Sequence, residues 1–197
     1  MGDSDGEEEV AASVVWEGEL LDGVPDGPGK ATFPNGDLFE GIYANGRRHG
    51  KGKYTFANGA FYEGEYADNL KQGFGVTEYP DKARYEGSWA QDQRDGQGTY
   101  AYPNGDTFGG SWSAGQKHGK GTYFFKESMS QFEGTWENGG FVRGSWIMRD
   151  GSSYEGAFAA NRPLGPGEFR FEGKAHKLPG EFLPTGGWKS GGIVAAH

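Results

Sequence analysis

Short segments, mostly of the form aromatic–Glu–Gly–x–aromatic, return along this chain at nearly constant intervals, and no other feature restricts its fold so strongly. FEGIY, YEGEY, YEGSW, FGGSW, FEGTW and YEGAF centre on Gly41, Gly64, Gly87, Gly110, Gly134 and Gly156, with WEGEL at Gly18 and LPGEF at Gly180 extending the series. Successive glycines are 23, 23, 23, 23, 24, 22 and 24 residues apart. Nine and eleven residues later most units carry a second pair: Gly27 and Gly29, Gly50 and Gly52, Gly73 and Gly75, Gly96 and Gly98, Gly119 and Gly121, Gly165 and Gly167. The sixth unit breaks the rule, with Arg143 and Ser145 in those places. A period of this length marks a repeat array, in which each unit buries its apolar face only by stacking on its neighbours.

The aromatic residues obey the same period. Of the 14 Phe, 10 Tyr and 6 Trp, 24 stand two before the first glycine, two after it, or thirteen and fifteen after it. Spacing by two is strand periodicity, because alternate side chains share a face. Each unit therefore reads as two strands, and turns such as PNGD at Pro34–Asp37 and Pro103–Asp106 follow. Asn-Gly there suggests a hairpin with both turn positions at positive φ. A glycine between two rings leaves a slot in which an aromatic from the next strand lies flat over the backbone. The predicted fold class is all-β: an elongated, single-layer, twisted antiparallel sheet of tandem hairpins with no substantial helix. At about 10 Å per unit, eight units give a strip of about 75 Å.

Composition removes the competing architectures. With 38 glycines, seven leucines and 34% hydrophobic residues, the chain cannot furnish the Leu scaffold of leucine-rich repeats. Propeller blades need about 40–50 residues each, and odd and even units here look alike. Residues 1–15 form an acidic leader predicted to be disordered, residues 16–182 the array of about eight units, and residues 183–197 a tail. The start, MGDSDGEEEV, is acidic where a signal peptide is basic and then apolar, so an intracellular protein is expected. A net charge of −9 argues against general nucleic-acid binding.

No residue pattern points to catalysis. His49 and His118 stand eight after the glycine, where other units hold Asp26, Gln72 and Asp95. A position accepting His, Gln and Asp reads as a turn hydrogen-bonding site. HGKG and QGFG open strands, whereas a phosphate loop opens a helix. Glu17, Glu40, Glu63, Glu86, Glu133 and Glu155 form a row on the face opposite the rings. The absence of cysteine removes thiolate chemistry, and no cofactor, no metal and no enzymatic activity are expected.

Two interaction surfaces are expected instead. Nothing in a single sheet covers the aromatic face, so Tyr43, Tyr62, Tyr66, Tyr85, Trp89, Phe108, Trp112, Phe132 and Trp136 are predicted to present a protein-binding patch, the alternative being that stacking among the rings consumes them. The open sheet ends, near Trp16 and Phe182, offer β-augmentation or a homodimer. Arg48, Lys71, Arg94 and Lys117, each seven after the glycine, are read as a row of cations on one long edge. Such a row serves solubility, or contacts an acidic protein or anionic lipid.

The recurring YEGxWxxGxxHGxGxxxxxxG pattern resembles the MORN repeat (membrane occupation and recognition nexus) over residues 16–182. The family's enzymes carry an additional catalytic domain, and none is expected on the flanks here. The acidic leader, RRHGKG, YEGSW, QKHGKGTY and FAANRPLGPGEFRF further resemble the short MORN-repeat subunits of the ciliary radial spoke head. That resemblance implies a structural subunit of the axoneme in motile cilia and flagella, with other radial spoke head proteins as partners. An adaptor on anionic membrane lipid is the alternative.

Overall fold

The computed structural model describes residues 13–195, so residues 1–12 of the expected leader lie outside the described residues. The chain forms β1 (Val15–Leu21), β2 (Val24–Thr32), β3 (Leu38–Ala44), β4 (Arg47–Thr55), β5 (Phe61–Ala67), β6 (Leu70–Glu78), β7 (Arg84–Ala90), β8 (Gln93–Ala101) and β9 (Thr107–Ser113). It continues through β10 (Gln116–Phe125), β11 (Ser130–Glu137), β12 (Gly140–Ile147), β13 (Ser153–Ala159), β14 (Arg162–Arg170), β15 (His176–Phe182), β16 (Trp188–Ser190) and β17 (Val194–Ala195). Each strand to β15 pairs antiparallel with the next, giving one open sheet. The predicted all-β sheet of tandem hairpins is what is observed. β16 and β17 both pair with β15, so the sheet continues into the tail.

The two strands of a unit are joined by a two-residue turn. Asn45 and Gly46, Asp68 and Asn69, and Ala114 and Gly115 all have positive φ at both positions, as type I′ hairpins require. The PNGD segments differ from expectation: only Gly36 and Gly105 take positive φ, not Asn35 or Asn104. These are three-residue turns, in which a single left-handed glycine closes the loop and the Asn side chain caps it. Asn35 Oδ1 accepts from Asp37 N–H at 3.1 Å.

The turns interlock. Asp37 Oδ2 accepts the Tyr54 hydroxyl at 2.6 Å and Oδ1 accepts the Ala57 amide of the following turn at 2.9 Å. Asp106 repeats this with Tyr123 at 2.8 Å and Lys126 at 2.8 Å. On the other edge, Asp26, Gln72 and Asp95 accept the amides of Asn45, Gln91 and Ala114, the turn bonding read from the sequence for that position. Neighbouring units are thus bolted at both long edges as well as through the strand ladder.

Candidate protein-interaction site

The sheet stores its core on one of its own faces. In each regular unit the ring two before the anchor glycine folds back over that glycine and its partner across the hairpin. Phe39 covers Gly41 and Gly52, Tyr62 covers Gly64 and Gly75, and Phe108 covers Gly110 and Gly121. A Cβ at any of these glycines would meet the ring, so the aromatic–Gly–aromatic pattern is a steric requirement. The ring two after the glycine then stands edge-on. Phe39 meets Tyr43 and Tyr66 at 5.3 Å, Tyr85 meets Trp89 and Trp112 at 5.3 Å, and Phe108 meets Trp136 at 5.1 Å. Edge-to-face contacts of this kind add about 0.5–1.5 kcal/mol per pair beyond area burial.

This arrangement corrects the expected patch. Tyr43, Tyr62, Tyr66, Tyr85, Trp89, Phe108, Trp112, Phe132 and Trp136 are all buried, at 0–8% exposure. They form the core of the sheet because flat rings over glycine shelves, walled by edge-on rings, leave almost no surface. Trp89, Trp112 and Trp136 also donate their indole N–H to the carbonyls of Gly75, Gly98 and Gly121 at 3.1–3.2 Å. Two hydroxyls, of Tyr66 and Tyr154, are buried without a partner among the described residues. Burial pushes the Tyr85 hydroxyl up to about 12.

The accessible rings are the second row, thirteen and fifteen after the glycine. Tyr79, Tyr100, Tyr102, Tyr123 and Phe125 form a track with centroids 4.5–5.9 Å apart, each only partly buried. A shorter track runs Phe33–Tyr54–Phe56. The break between them falls at Thr77, which stands where Tyr54, Tyr100 and Tyr123 stand in their units. These residues were in the periodic count but not among the expected contact residues. Their signal is positional: they sit beyond the glycine pair, where no shelf draws them in.

The cation row is also placed differently from expectation. Arg48 lies over Phe39, Tyr54 and Tyr66 at 5.3–5.8 Å, Lys71 over Tyr62 and Trp89 at 4.9–5.0 Å, and Arg94 over Tyr85, Tyr100 and Trp112 at 4.4–5.7 Å. Lys117 lies over Phe108, Tyr123 and Trp136 at 4.5–5.5 Å. The row is a set of cation–π clasps between units rather than a free edge. Burial holds the Lys71 and Lys117 ammonium groups below the usual lysine range. An even spacing from the glycine pair placed these residues on the ring face, and that parity was legible.

The opposite face is polar, with exposed ion pairs such as Lys53–Glu63 at 3.2 Å and Arg84–Glu86 at 2.7 Å. It carries an apolar hollow of about 650 Å³, between Phe61, Phe74 and Val76 with acidic and basic side chains at its rim. Phe74 is 54% exposed at a position where other units hold Lys51, Gln97 and Lys120.

Among solved structures, the TCP domain of SAS-4 (dCPAP) from Drosophila melanogaster, in complex with a proline-rich motif of Ana2, is 16% identical over 84% of each chain, with a TM-score of 0.33. A point mutant of the TCP10 domain of Danio rerio CPAP is 14% identical over 86% of this chain and 90% of that one, with a TM-score of 0.31. Likeness at this level carries nothing over to function. No curated protein matches the chain. The MORN repeat model matches residues 16–38, 39–61, 62–84, 85–107, 110–128 and 154–174, passing over the irregular sixth unit. With about two thirds of its residues in such repeats, all on one continuous hairpin sheet, this chain belongs to the MORN-repeat family.

Proposed function

We propose that this protein is a non-enzymatic structural scaffold that assembles other proteins, and that its setting is the radial spoke head of motile cilia and flagella. The observation that carries the scaffold reading is the division of the rings. The first row is consumed in stiffening the sheet, while the second row remains a partly exposed aromatic track on a face that no other layer covers among the described residues. A partly exposed aromatic strip on a rigid support is the anatomy of a protein-binding surface. The spoke-head setting is supported by the resemblance of RRHGKG, YEGSW, QKHGKGTY and FAANRPLGPGEFRF, and it makes other spoke-head subunits the partners. The cation–π engagement of Arg48, Lys71, Arg94 and Lys117 disfavours the anionic-lipid alternative, because clasped cations do not form a free basic strip.

The test is fractionation of tagged protein in a motile ciliated cell, with the ciliary membrane stripped by detergent. Retention in the axoneme, with release alongside spoke components at high salt, is expected. Loss with the detergent fraction would favour the lipid adaptor, and absence from cilia would remove the spoke-head assignment. Tyr79→Ala with Tyr102→Ala is expected to weaken retention while leaving the sheet folded.

A further inference from the structure

The two ends of the sheet are unequal. The outer edge of β15 is covered by β16 and β17, whereas β1 pairs with β2 alone among the described residues. The open strand is nevertheless built like an interior one. Trp16 lies over Gly18 and Gly29 and donates to the Glu19 carbonyl at 3.0 Å, just as Tyr62 lies over Gly64 and Gly75 and donates to the Glu65 carbonyl at 3.0 Å. What differs is the cover. Leu20 stands where Tyr66 stands in its unit, yet it is 60% exposed against 4%, and Val15 and Leu21 are exposed beside it. β1 holds neither lysine nor proline, the residues that commonly guard a sheet edge against a further strand.

The sheet itself shows which strand would match this edge. On the polar face Glu17 faces Lys30, Lys30 faces Glu40, Glu40 faces Lys53 and Lys53 faces Glu63. At the open edge this alternating line stops on a carboxylate. The run Glu17–Gly18–Glu19 recurs once in the chain, as Glu63–Gly64–Glu65 in β5. There the preceding strand, β4, sets Lys53, Gly52 and Lys51 against it in register, with Lys53 Nζ 3.2 Å from Glu63. Lys-Gly-Lys occurs nowhere else in the sequence, and β4 is paired on both sides, so a second copy does not supply it. Residues 1–12 hold Asp3, Asp5, Glu7, Glu8 and Glu9 and no lysine or arginine, so that segment does not supply it either. Two copies joined antiparallel, β1 to β1 through Gly18, would set Glu17 against Glu19 twice, and like charges directly opposite oppose pairing.

We propose that the open edge of β1 takes up an extended segment of a partner protein in which two basic residues flank a glycine. The segment adds as an antiparallel strand, its basic residues facing Glu17 and Glu19 and its backbone continuing the ladder. The proposal rests on the protein-binding reading above but uses neither the aromatic track nor the ciliary setting, so its failure leaves both standing. The probe is a synthetic peptide with the sequence of residues 47–55, RRHGKGKYT, added to the purified full chain and followed by NMR at the Trp16 indole N–H. Saturable binding at about 0.1–1 mM in low salt is expected, at least about fivefold tighter than for a scrambled peptide of the same composition. Glu19 is skipped by the β1–β2 register, so Glu19→Lys should leave the sheet folded and weaken binding at least about threefold. A peptide with glutamate in place of Lys51 should then bind Glu19→Lys more tightly than it binds wild type. No saturable binding, equal binding of the scrambled peptide, or failure of this charge exchange would each overturn the edge site. Self-association of the full chain that Glu19→Lys removes or strengthens would assign the edge to a second copy, and would overturn the partner.

Discussion

In the fifth unit Phe108 lies across Gly110 and Gly121 and Lys117 closes the seam over three rings. One unit later the same two tasks are solved with other atoms. Gly134 and Gly144 still pair, but the nearest atoms to each are backbone of the opposite strand rather than a ring. Phe132 turns away to stack on Phe141 at 4.8 Å with planes 7° apart. Phe141 occupies the position of the cation row and packs on Trp136 and Phe158 as well. The sixth hairpin is also one residue shorter, since Gly134 to Gly144 spans ten residues where Gly110 to Gly121 spans eleven. The sheet runs through both units without interruption, so the strand ladder fixes the array. The glycine shelf and the cation are one way of filling its face; a stacked Phe pair is another.

The shelf should make Phe108 the more costly ring to lose. Phe108→Ala is expected to remove about 3–5 kcal/mol, because rigid backbone beneath it cannot collapse into the space. Phe132→Ala should cost less, since its neighbours are side chains that can repack. Equal losses in urea unfolding would remove the distinction between the two units.

Exchanging the seam residues sharpens the comparison. Phe141 is fully buried among rings, so Phe141→Lys would place an ammonium there without a polar partner, at about 2–4 kcal/mol. Lys117→Phe, in the half-open fifth seam, should stay within about 1 kcal/mol of wild type. A large loss from Lys117→Phe, measured by the same unfolding midpoint, would show that the clasp itself stabilises the regular units.

The Asp106–Tyr123 bolt belongs to the fifth unit; in the sixth, Ser130 and Ile147 stand at those two distances from the glycine, four before and thirteen after, and the Met148 amide donates to the Ser152 carbonyl within the turn. Burial raises the Asp106 carboxyl, but the Lys126 amide, the Tyr123 hydroxyl and Asn104 outweigh it and hold it below the usual range. A depressed carboxylate contributes stability above its unfolded value of about 3.9, and that contribution is lost as pH falls through the folded value. Tyr123→Phe should therefore cost about 1–2 kcal/mol at pH 7, with wild type and variant converging as pH falls below the folded-state pKa of Asp106. A gap that persists in acid would assign the loss to packing. The smallest effect is expected on the polar face: Glu63→Ala, which breaks the exposed pair with Lys53, should change stability by less than about 1 kcal/mol.

The sequence by itself determined the strands, their antiparallel succession and the family, because period two within a period of 23 marks tandem hairpins with their rings on one face; that glycine pairs with glycine across each hairpin came from the structure. The sequence also placed Glu40 and Glu63 on the polar face and marked the sixth unit as irregular. Parity would have put Arg48 and Lys117 on the ring face, but not over which rings. Only the tertiary structure decided which aromatics are core and which are surface. Tyr62 and Tyr100 have the same side chain and share a face, yet one folds over a glycine shelf and is fully buried while the other stands beyond it, partly exposed. Burial in a single-layer sheet is set by what lies beneath and beside each ring in neighbouring units. That spatial neighbourhood is not a property of any one repeat.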